Sequence, residues 1–143
     1  MLKLLVLLTL SPLLSHAQQE LDSLPETTYI GRVHKAELYY TVKGTDTTYR
    51  LRYIPLAHLG GRFYKTIEFS SVDNTLQKLY AILKSFFTDE HKRSKKYLVS
   101  FDLGNSHVTA YNQKNIGGNQ VKLWTNQGEV YLDERQVDKL FGK

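Results

Sequence analysis

Apolar residues in the body of this chain recur with a period of two almost everywhere, and with a helical period over only one long stretch. The segment "AELYYTVKGTDTTYRLRYI", residues 36–54, alternates twice around a Gly-Thr-Asp turn. Ala36, Leu38, Tyr40 and Val42 share one face of the first arm. Tyr49, Leu51 and Tyr53 share one face of the second. Pairing Val42 with Tyr49 joins the two apolar sets and sets Glu37, Tyr39 and Thr41 opposite Ile54, Arg52 and Arg50. Alternation on both sides of a short turn demands an antiparallel hairpin, because only that arrangement puts every second side chain of both arms into one core. A third strand is expected from about Arg62 to Phe69, after a Gly60-Gly61 turn, with Phe63, Ile67 and Phe69 on one side. "KYLVSFDL", "SHVTAYN", "QVKLWTN" and "EVYL" read as further short strands, separated by turns at Gly104-Asn105, Gly117-Gly118 and Gln127-Gly128.

The exception is "SSVDNTLQKLYAILKSFF", residues 70–87. Val72, Leu76, Leu79, Tyr80, Leu83 and Phe87 follow the 3.6-residue period, and Ser70 or Ser71 can cap the start. Asp133 opens a short last helix, with Gln136 placed for a capping box and Val137, Leu140 and Phe141 as its apolar stripe. The expected fold is α+β, in the order βββ-α-ββββ-α. One antiparallel sheet of about six to seven strands carries one long amphipathic helix packed on it, with a short C-terminal helix, since a helical stripe must lie across a sheet face to be buried. The two halves share a strands-then-helix order without a residue-level repeat.

The N-terminus predicts export. Lys3 precedes an apolar run from Leu4 to Leu10, Pro12 breaks it, and Ser15 and Ala17 stand at −3 and −1 of a cut before Gln18. This is the pattern of a cleaved signal peptide over residues 1–17. The run is shorter than the about 18 apolar residues a membrane anchor needs. Residues 18–28 read as a flexible acidic lead-in, and 29–143 as a single domain. The chain has no cysteine, so an exported product has neither disulfides nor a cysteine for lipid attachment. A secreted or periplasmic location follows from these features.

Charge narrows the partners. The chain carries a formal net charge of +5, one unit of which belongs to Lys3. A nucleic-acid binder shows a stronger stripe of Lys and Arg, whereas weak attraction to anionic partners is compatible with this balance. The cluster "DEHKRSKK", residues 89–96, is the densest run of charge; it reads as a solvated connection or a docking loop for an anionic partner. No cofactor is implied. His34, His58, His91 and His107 do not stand at the spacing of metal ligands. "NIGGN", residues 115–119, precedes a strand rather than the helix a phosphate loop requires.

Two groups of residues are candidates for function. In "SFDLGNSHVTAY", a two-residue loop at Gly104-Asn105 sets Asp102 opposite His107, Ser100 opposite Thr109, Phe101 opposite Val108 and Val99 opposite Ala110. Ser100, Asp102 and His107 then share a face and are the ingredients of a hydrolase. Cross-strand spacing of about 5–8 Å nevertheless keeps the serine from the histidine, and no helix N-terminus stands behind the serine to supply oxyanion donors. The second group is aromatic and cationic: Tyr39 with Arg50 and Arg52, and Trp124 paired with Tyr131. Such residues suit recognition of a protein or glycan in the cell envelope or medium. The leading expectation is therefore a small exported binding module. The rivals are a small hydrolase using Asp102 and His107, and a structural subunit assembling through an open sheet edge.

Overall fold

The computed structural model describes residues 25–58 and 63–143. The expected leader, most of the acidic lead-in and the Gly60-Gly61 turn lie outside the described residues. Strands β1 (Thr27–Val33), β2 (Ala36–Lys43), β3 (Asp46–Tyr53) and β4 (Lys65–Ser70) are followed by helix α1 (Thr75–Ser85). Then come β5 (Leu98–Leu103), β6 (Ser106–Asn115), β7 (Gly118–Thr125) and β8 (Gly128–Leu132), and helix α2 (Glu134–Leu140). The strands form two separate four-stranded sheets, ordered β1-β2-β3-β4 and β5-β6-β7-β8, and every pairing is antiparallel between sequence neighbours. A four-stranded meander followed by a helix thus occurs twice.

This corrects the expected architecture of one sheet carrying one long helix. Inward alternation is the same whether strands share a sheet or face each other across a core, so the pattern does not distinguish the two. What divides them is the connection from Ser71 to Tyr97, which carries α1 and a charged loop between β4 and β5. The first strand escaped the pattern because its alternation is broken. Thr27 to Tyr29 pair with Thr41 to Tyr39, but the register shifts between Tyr29 and Gly31, and Gly31 to Val33 pair with Leu38 to Ala36. Such a bulge admits one extra residue.

The helix is also shorter than its pattern. Asp73 and Asn74 adopt left-handed backbone angles (φ 55° and 56°), so the chain makes a tight 3-10 turn over Val72–Asn74 before α1 starts. Neither Ser70 nor Ser71 caps it: Asn74 holds the cap position and makes no side-chain cap bond. Val72, expected in the stripe, is 62% exposed, while Leu79, Leu83 and Phe86 are buried. Phe63 likewise lies outside β4 and is exposed.

A single apolar core draws on both sheets and both helices, including Leu38, Leu51, Ile67, Leu83, Val108, Leu123 and Leu140. One polar link crosses it. The Tyr53 hydroxyl donates to Thr125 Oγ1 at 2.7 Å, and the Thr125 hydroxyl donates in turn to the Gly128 carbonyl at 3.1 Å. Burial raises the Tyr53 pKa, which keeps the phenol neutral and donating. Helix α2 is closed by the predicted capping box: Asp133 accepts from the Gln136 backbone N–H, and Gln136 accepts from that of Asp133. It lies beside α1, where Tyr80 donates to Asp138 at 2.8 Å and Lys84 Nζ reaches Glu134 at 2.7 Å and Asp138 at 3.0 Å.

Candidate functional site

The aromatic and cationic residues of the first sheet meet on its outer face. The β2–β3 turn is one residue pair tighter than expected, so Val42 faces Thr47, Tyr40 faces Tyr49, Tyr39 faces Arg50 and Glu37 faces Arg52. The shift is two residues, an even number, so each side chain keeps its predicted face. Arg52 therefore lies diagonal to Tyr39, with its guanidinium 5.9 Å from the ring centroid. Arg50 bridges the strands on either side of it, donating Nε to Glu68 Oε1 of β4 at 2.8 Å and Nη1 to Thr41 of β2 at 2.9 Å.

Glu37 organises the other end of this face. It is a buried carboxylate in mid-sheet, held by Arg52 through Nε at 2.9 Å and a second close contact from Nη2, and by Arg32 Nη2 at 2.6 Å. Burying a carboxylate needs such partners, because isolated burial of charge costs several kcal/mol. The hydrogen bond to Glu37 raises the Arg52 pKa further above its ordinary value. The rings of Tyr64 and Tyr29 flank the arginines: Arg52 lies 4.6 Å from the centroid of Tyr64 and Arg32 lies 5.4 Å from that of Tyr29. Tyr29 in turn packs against Tyr39 at 5.5 Å.

Three of these participants, Tyr29, Arg32 and Tyr64, were not singled out by the sequence. Residues 29 and 32 fall on opposite faces of a regular strand; the bulge after Tyr29 brings both to the outer face. The last contribution comes from α2. A Cβ on Gly31 would lie 2.2 Å from the Lys139 carbonyl and 2.5 Å from that of Leu140. Only glycine lets the helix end approach the strand so closely, and the approach sets Lys139 beside Arg32. Arg32, Glu37, Arg52, Tyr64, His34 and Lys139 line a cleft of about 480 Å³.

The second sheet separates its candidates. The β7–β8 register is also tighter by one pair than expected: Trp124 faces Glu129 and Tyr131 faces Lys122. Trp124 is 49% exposed. Tyr131 is engaged elsewhere, donating to Glu129 Oε1 at 3.1 Å, with Lys122 Nζ 5.2 Å from its ring centroid and 5.2 Å from that of Tyr111. Lys122 also forms an ion pair with Glu129. Partial burial would lower the Lys122 pKa, but hydrogen bonds to Glu129, Tyr111 and Tyr131 outweigh it and raise it well above the ordinary lysine value.

The hairpin of Asp102 and His107 forms in the expected register, with Asp102 facing His107 and Ser100 facing Thr109. Asp102 Oδ1 lies 2.8 Å from His107 Nδ1, on side chains that are largely solvent-exposed. Ser100 Oγ is 3.1 Å from Thr109 Oγ1, so its hydroxyl is bonded to threonine rather than to the imidazole. The structure brings together the acid and the base but not the nucleophile. Among the described residues no three His, Cys, Asp or Glu side chains converge as metal ligands. Also among the described residues, no helix is long and apolar enough to cross a membrane.

No protein-family model, no curated protein and no solved structure matches this chain.

Proposed function

We propose that this chain is a small exported binding module that recognises an acidic segment of a partner protein on the outer face of its first sheet. The observation that carries this reading is the unequal use of charge in the Glu37 cleft. Glu37 occupies Arg52 and one arm of Arg32, yet the Arg32 side chain remains 62% exposed, and Lys139 lines the same cleft with no carboxylate partner among the described residues. Two cations are thus presented to solvent between exposed rings, Tyr29 at 54% and Tyr64 at 43%. Arginine and tyrosine anchor interfaces because both bury large area, and the planar fork of arginine recognises carboxylates directionally. An acidic side chain fits between Arg32 and Lys139, with its neighbours packed over Tyr29 and Tyr64.

Titration of the isotope-labelled protein with Asp/Glu-rich peptides tests this reading. Shifts at Arg32, Tyr64 and Lys139 that disappear in Arg32→Ala and Lys139→Ala support it. Shifts confined to another face, or none with any acidic peptide, overturn it. Export is part of the same reading, and an intact mass beginning at Gln18 for the secreted product checks it.

A further inference from the structure

The loop between α1 and β5 and the hairpin of β6 and β7 form a second recess, remote in chemistry from the Glu37 cleft because among the described residues no carboxylate lines it. It measures about 660 Å³ and is lined by Lys92, Arg93, Lys95, Lys114, Asn112 and Asn119, among others. This volume lies within the range of sites that bury a small ligand. Lys92 is paired with Asp89. Arg93, Lys95 and Lys114 have no carboxylate partner among the described residues.

Cations concentrated without counter-charges repel one another, so the loop needs bracing, and the structure supplies it. Asn112, at the end of the inner face of β6, donates Nδ2 to the carbonyls of His91 at 2.6 Å and Ser94 at 3.1 Å. The His91 ring stacks on Tyr97 at 3.7 Å with the planes 2° apart, and its Nδ1 lies 3.2 Å from the Ser85 carbonyl oxygen. Backbone bonds from Lys92 to Thr88 and from Ser94 to His91 complete the turn. The cations are therefore held on a fixed scaffold, which lowers the ordering cost of binding. Asn112 Oδ1 is buried with no donor among the described residues, so Asn112 serves the loop as a brace and offers no polar atom to the recess.

We propose that this recess binds an acidic polysaccharide, a chain of sugars bearing sulfate or carboxylate groups. Arg93, Lys95 and Lys114 meet its charges, and the amides of Gln113 and Asn119, which also line the recess, meet its hydroxyls. Amides interleaved with cations match a ligand that alternates hydroxyl and anion. Single-stranded nucleic acid uses aromatic platforms for its bases, and no aromatic side chain lines the recess. A membrane presents a plane, whereas these cations line a concavity; Ile116 alone stands exposed at the neighbouring hairpin tip.

Calorimetric titration of the purified protein with heparin, polygalacturonate, neutral dextran, single-stranded DNA and phosphatidylglycerol vesicles tests the proposal. Two triple variants of equal charge change accompany it: Arg93→Gln/Lys95→Gln/Lys114→Gln in the recess, and Lys43→Gln/Lys78→Gln/Lys143→Gln on exposed positions elsewhere. The expected result is salt-sensitive binding of heparin or polygalacturonate but not dextran, weakened about tenfold or more by the recess variant and little changed by the other. Equal loss in both variants reduces the effect to net charge and overturns the proposal. So does tighter binding of DNA or vesicles than of either acidic glycan, or binding of neither glycan. The outcome is independent of the acidic-peptide reading, since Arg32 and Lys139 are intact in both variants.

Discussion

Glu37 and Arg52 face each other directly across the β2–β3 ladder, with Arg52 Nε donating to Glu37 Oε2 at 2.9 Å and Arg32 closing on the same carboxylate from β1. The carboxylate is buried, while both guanidinium groups keep part of their surface in water. Glu37 is thus the group that suffers when the cluster is broken.

Removing either arginine alone leaves the carboxylate one partner, so Arg52→Ala and Arg32→Ala are each expected to cost stability modestly. The double substitution should cost more than their sum, about 1–3 kcal/mol beyond it after allowing for solvent access to the arginines. Urea unfolding of the single and double variants measures the coupling. Strict additivity would show that Glu37 is not held jointly.

Leu79→Ala and Leu83→Ala should each lower stability by about 2–5 kcal/mol, because both side chains are buried in the common core. Val72→Ala should change the unfolding midpoint little, since Val72 lies before the helix and is exposed. A large effect at Val72 would restore the longer stripe that the sequence suggested.

Gly31→Ala is expected to destabilise by about 1–3 kcal/mol or more, the usual range for overpacking, because the added carbon meets helix carbonyls rather than a flexible side chain. The same change should loosen α2 and withdraw Lys139 from the Glu37 cleft. Hydrogen exchange across residues 134–140 reads the first effect, and loss of acidic-peptide binding reads the second. Unchanged protection of α2 would contradict this packing.

Acid should weaken the contact between the two helices. Hydrogen bonding from Lys84 holds the Asp138 carboxyl below its ordinary pKa. A depressed carboxylate contributes stability that is present above its unfolded pKa and disappears as pH falls through the lower folded value. Tyr80 runs the opposite way. Its hydrogen bond to Asp138 raises its pKa, so its contribution holds at neutral pH and is lost as pH rises through the raised value. Lys84→Met should flatten the acid limb of the stability profile, and Tyr80→Phe the alkaline limb, both read from thermal unfolding against pH.

His107→Ala should leave fold and binding intact, at a cost of about 0–1 kcal/mol, because its pair with Asp102 lies on a wet face. A screen of ester, peptide and glycoside substrates is expected to give no turnover. An activity that vanished with His107 would reinstate the hydrolase reading.

Local chemistry was readable from the chain alone. The Gly104-Asn105 hairpin formed in the expected register, and the capping box at Asp133 and Gln136 is present, because both depend on residues a few positions apart. The faces of β2, β3, β7 and β8 were also legible even where the register was not. A slip of two residues preserves the side of the sheet, so Tyr39 and Arg52 stayed together outside while their partners changed.

Long-range geometry decided the rest. Whether alternating strands share one sheet or face each other in two depends on which edges meet, and the alternation is the same in both. The bulge that carries Tyr29 to the side of Arg32 violates the period by which strands are recognised. Lys139 reaches the Glu37 cleft only because a helix more than a hundred residues downstream packs on the bare backbone of Gly31, and Asn112 braces a loop about twenty residues upstream. In β2, β3, β7 and β8 the sequence by itself determined which side chains point inward or outward. Only the packing of distant elements decided which of the outward ones became neighbours, because that proximity is set by the shared core and not by spacing along the chain.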